Sequence, residues 1–86
     1  MNTLSPIAEI ARLETATETL AEYIGYLSGA VDAERDRPDP NVGRIEALEH
    51  ELDIVLGERR ALTPDNIDLI NRSLYVYAPL LRPISG

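Results

Sequence analysis

His50 is the only histidine in the chain, and Glu46, His50 and Asp53 stand at i, i+4 and i+7, with Glu49 beside them. On a helix this spacing gathers imidazole and carboxylates on one face, the chemistry of a metal site. The two strong helical metal signatures are nevertheless absent. Zincins need two histidines, and carboxylate-bridged di-iron bundles need Glu-x-x-His on two helices; here residue 47, three before the histidine, is Ala. The cluster reads as a solvated acidic face, and no metal or cofactor is expected. Nucleophilic catalysis through Ser and His would need a third group and an oxyanion hole, and no glycine-rich strand-to-helix turn is present to build one. A phosphate-cradling loop is also missing, so no catalytic residue is named and the chain is expected not to be an enzyme.

Charge narrows the partners. Eight Arg stand against fifteen acids, for a net charge of -7, which opposes the clustered cations that neutralise nucleic-acid phosphates. No direct nucleic-acid contact is expected. Glu14, Glu18 and Glu22 form an i, i+4 row that is either a solvated face or an acidic stripe for docking on a basic protein. Without cysteine there are no disulfides, thiolates or sulfur-ligated zinc. The opening residues carry no leader pattern and no uncharged run reaches membrane-spanning length, so a cytoplasmic address and no membrane contact are expected.

Lys, Phe, Trp and Gln are all missing, and four Tyr are the only aromatics. The core must therefore come from twelve Leu, eight Ile and four Val, side chains that suit interlocking helices. Ser5-Pro6 reads as a cap and first helical residue. From there Ile10, Leu13, Thr17, Leu20, Ile24, Leu27 and Val31 alternate in threes and fours, the seam of a helix packed lengthwise on another. The predicted elements are helix one over 5–35, a proline-rich loop over 36–41, helix two over 42–58 and helix three over 64–78, begun by Thr63-Pro64-Asp65. An extended tail over 79–86 follows Pro79. The seam of helix two is Ile45, Leu48, Leu52, Val55 and Leu62; that of helix three is Ile67, Ile70, Leu74 and Tyr77.

The fold class is all-α, a single helical domain with a long first helix and two shorter ones, arranged as a helical-bundle homodimer. Helix one outruns its partners, and a chain this small is marginal alone, so pairing between copies is expected. Gly25 and Gly29, with Ala21 and Ala33, form a ridge of small residues flanked by Tyr23 and Tyr26. It is a close helix crossing within the chain, a dimer seam, or chance. Leu74 to Leu81 is the most apolar window, read either as a central helix or as a partner groove. The candidate interface residues are thus Leu20, Tyr23, Ile24, Gly25, Leu27, Gly29, Leu74, Tyr75, Tyr77 and Leu81.

The order of elements is similar to that of the small all-helical chorismate mutases, which also have a long helix, a loop and two shorter helices. That resemblance implies a dicarboxylate site lined by cations, some from the long helix. This sequence departs from it: helix one has no cation between Arg12 and Arg35, and glutamine is missing. The function expected is a non-enzymatic protein–protein interaction module, such as a small bacterial or phage adaptor, chaperone or inhibitor, acting through apolar helix faces. The alternative is an acidic antitoxin or inhibitor that docks on a basic target protein, nucleic-acid-binding proteins being one such class.

Overall fold

Ser5 starts the first helix: its hydroxyl accepts the Ala8 N–H at 3.2 Å, and Pro6 occupies the first turn, where a missing N–H costs nothing. The resulting α1, Pro6–Arg35, runs unbroken through Gly25 and Gly29 for 30 residues, about 45 Å. The computed structural model describes residues 5–85; residues 1–4 and Gly86 lie outside them. Every element among the described residues is helical, and all residues adopt negative φ or are unremarkable in backbone.

Glu34 organises the turn out of α1. It is buried and accepts the Asn41 N–H at 3.0 Å, Arg37 Nη1 at 3.0 Å and Arg44 Nε at 3.3 Å. Three donors from an eight-residue stretch, 37–44, converge on one carboxylate, so the proline-rich loop closes on a fixed point. The Asn41 N–H is the largest influence on the Glu34 carboxyl; burial opposes it, and the Arg37 and Arg44 guanidiniums add enough to hold the carboxyl below the usual glutamate range. Asn41 next caps α2, Val42–Ala61, by accepting the Arg44 N–H at 3.0 Å.

The second helix continues past Gly57 to Ala61, three residues beyond the predicted end. A single glycine lowers helix propensity without breaking the hydrogen-bond ladder. The third helix also starts later than Thr63-Pro64-Asp65 suggests. Asn66, not Thr63, is the cap, accepting the Leu69 N–H at 3.3 Å, and α3 spans Ile67–Arg72.

In place of an extended tail, the chain stays helical beyond Pro79. A π-helical turn, Ser73–Tyr77, leads directly into α4, Ala78–Ser85. The Ala78 N–H reaches back five residues to the Ser73 carbonyl, which widens the turn just before a residue with no N–H. A proline in a regular helix clashes with the carbonyl four residues back; a wide turn moves that carbonyl and lets the helix pass. The buried Ser73 hydroxyl bonds the Leu69 carbonyl at 2.9 Å, so no buried side-chain oxygen is left unpaired in the bend.

These elements form three helices, with 67–85 as the third. Arg35 at the end of α1 pairs with Glu49 early in α2 at 2.6 Å, while Val55 later in α2 joins Leu20 and Leu27 in the core, so α2 runs antiparallel to α1. The third helix starts beside Arg12 and reaches Tyr23 at Tyr77, so it runs in the direction of α1. Both shorter helices lie on α1, giving Cα extents of 53 × 26 × 17 Å, a slab rather than a rounded bundle. Its core joins Leu20, Tyr23 and Leu27 to Val55, Tyr77 and Leu81, edged by Ile24, Leu48, Leu52 and Leu62.

Candidate functional site

At 20 residues α2 is ten shorter than α1, so about 15 Å of α1 extends beyond its cover. The third helix lines this overhang on one side only. Between them lies a cleft of about 820 Å³, walled by Ile10 and Leu13 of α1 and Ile67 and Ile70 of α3, with Glu9, Arg12, Asp65 and Asn71 around them. Ile7, Ile10 and Ile67 are 80%, 57% and 57% exposed. The seam predicted for α1 therefore fails at its start: Ile10 faces the cleft and Thr17 is exposed, its hydroxyl bonded to the Leu13 carbonyl at 2.9 Å. Ala16 and Thr19 take the buried positions instead.

Arg12 holds the two sides of the cleft at a set distance. Its Nη2 donates to Asn71 Oδ1 at 2.5 Å, its Nη1 to the Tyr75 hydroxyl at 3.1 Å, and its guanidinium lies 5.7 Å from the Tyr75 ring centre. Planar guanidinium suits this combination of forked donation and stacking. Tyr75 is thereby fixed in place although 66% exposed. Neither Arg12 nor Asn71 was legible as a pair in the sequence, because 59 residues separate them.

The candidate interface residues divide sharply. Leu20, Tyr23, Leu27, Tyr77 and Leu81 are buried in the chain's own core, so their apolar surface is already covered. Ile24 packs against that core, and Leu74 is half-buried. Gly25 and Gly29 are exposed, and a Cβ built on either meets no atom within 4 Å; the ridge is not a close crossing within the chain. Tyr75 borders the cleft.

Tyr77 stacks on Tyr23 with centroids 4.9 Å apart, and Tyr23 on Tyr26 at 6.3 Å. The Tyr77 hydroxyl donates to Glu58 Oε1 at 2.5 Å, while Arg72 pairs with the other oxygen of Glu58. Burial raises the Tyr23 hydroxyl above the ordinary phenol value, aided by the Glu51 charge. Burial likewise raises Tyr77, partly offset by Arg72.

His50 is exposed on α2, and no cluster of three or more metal-ligating side chains occurs among the described residues. Glu14, Glu18 and Glu22 are exposed. Arg12 is the one cation lining the cleft, so no set of arginines converges there. No helix among the described residues is long and apolar enough to cross a membrane. No family model, curated protein or solved structure matches the chain.

Proposed function

We propose that the chain is a non-enzymatic protein-interaction module, a small adaptor, chaperone or inhibitor that docks another protein on an apolar helix face. The observation that carries this reading is the open cleft beside the α1 overhang, where Ile10, Leu13 and Ile67 stand among Pro64, Tyr75 and polar side chains and Arg12 bridges the two sides. Apolar side chains grouped in an open groove are the usual seat of an amphipathic helix. The test is fluorescence anisotropy with a labelled helical peptide bearing leucines at i, i+4 and i+7 and uncharged flanks. The folded chain is expected to bind it, and Ile10→Asn with Ile67→Asn to lose binding while keeping its helicity. Equal binding by the double variant, or no binding by the parent chain, counts against the cleft.

Two other readings have a specific observation each. An acidic antitoxin or inhibitor is favoured by Glu14, Glu18 and Glu22, which are exposed and form no ion pair among the described residues. A homodimer through the outer face of α1 is favoured by the bare surface at Gly25 and Gly29.

A further inference from the structure

We infer that the cleft takes a cationic amphipathic helix of a partner protein. This rests on the reading of the cleft as a docking surface and adds the chemistry of the occupant. Along the third helix the cleft runs from Ile67 to Tyr75, eight residues or about 12 Å. A docked helix covers that length with anchors at i, i+3 or i+4, and i+7, which span about 10.5 Å. Exposed Ile10 and Ile67, with half-buried Leu13 between them and Ile70 beneath, supply the apolar contact for those anchors.

Charge selects the occupant. Glu9 on the α1 wall and Asp65 at the entrance to α3 carry no ion pair among the described residues. Arg12, bonded to the neutral oxygens of Asn71 and Tyr75, is the single cation of the lining and offsets one of the two carboxylates at most, so the cleft keeps a negative excess. The partial positive charge at the start of α1 offsets Glu9 only in part, being about half a unit. A second copy of the chain would bring the same carboxylates and another -7 into the interface, and like charges across an interface are repelled. Arginine or lysine beside the apolar anchors of a partner helix would meet both carboxylates at the rim.

The experiment uses two labelled helical peptides with the same leucine anchors, one flanked by arginines and the other by glutamates, titrated with the full chain by fluorescence anisotropy. The arginine peptide is expected to bind about tenfold or more tightly than the glutamate peptide near 0.05 M salt, with the gap narrowing at about 0.5 M. Glu9→Gln with Asp65→Asn should weaken the arginine peptide about fivefold, with helicity kept and only a small fall in melting temperature from the lost charge in the first turn of α1. Glu14→Gln, Glu18→Gln and Glu22→Gln together should leave affinity unchanged at matched ionic strength; a loss there equal to that at the cleft shows undirected attraction to an acidic protein and overturns the proposal. Equal binding of both peptides overturns the cationic occupant while the docking reading stands. No binding of either peptide overturns both, as does a chain whose cleft is protected by self-association.

Discussion

Tyr77→Phe removes one oxygen from the junction of all three helices and leaves the ring in place. In the structure that hydroxyl donates to Glu58 at 2.5 Å, and the ring stacks on Tyr23 at 4.9 Å. A hydrogen bond to a charged partner contributes about 1.5–3 kcal/mol. Glu58 keeps Arg72 after the substitution, so the loss should fall at the low end, about 1.5 kcal/mol. For a chain of this size that lowers Tm by about 6–12 °C. Tyr77→Ala removes the ring as well and should cost about 3–5 kcal/mol, a large share of the total of about 4–13 kcal/mol expected for 86 residues. Thermal melting and urea unfolding, both followed by far-UV circular dichroism, measure the Tm shift and the free-energy loss of each variant. An unchanged Tm in Tyr77→Phe refutes the Glu58 bond, and equal losses in the two variants refute the stacked core.

Three further outcomes follow from the same packing. Glu34→Gln should lower stability at neutral pH, because the folded state holds this carboxyl ionised below its ordinary value of 4.5. That stabilisation is present above 4.5 and fades as pH falls through the lower folded-state value, so parent and variant melting curves should converge in acid; a gap independent of pH contradicts the latch. Burial raises Tyr23 and Tyr77 above 10.0, so their contribution is full below that pH and is lost as pH climbs through the folded-state values. Alkaline melts paired with phenolate absorbance should show unfolding and late tyrosine ionisation together. Gly25→Ala and Gly29→Ala should each stabilise the chain by about 0.5–1 kcal/mol, since a Cβ meets nothing within 4 Å; destabilisation in either, read by thermal melting, would show the ridge covered by another chain.

Helix positions that depend on local chemistry were legible in the sequence. Ser5 and Pro6 announce α1, and the prolines after Arg35 announce the loop, because caps and missing N–H groups act within a few residues. The all-helical class follows from the three-four rhythm of Leu20, Leu27, Val31 and Val55, all of them core residues. What escaped depends on distant partners. Pro79 stops an isolated helix, but the π turn beginning at the buried Ser73 carries this one through. Glu34 looks like one charge among several until three donors close on it. The cleft arises from the difference in length between α1 and α2, which propensity alone left uncertain at Gly57. Tyr23 and Tyr77 look like interface residues in sequence because aromatics serve cores and interfaces equally well; only their mutual stacking assigns them to the core.

The central claim is that the cleft beside the α1 overhang is open for another protein and is not filled by a second copy. Solution mass by light scattering, over a tenfold range of concentration at low and high salt, tests it on the parent chain and on Ile10→Glu. The account predicts the same mass for both proteins at every condition, whether or not the outer face of α1 pairs. A salt-resistant dimer, near twice 9.5 kDa, that Ile10→Glu splits into monomers would contradict it.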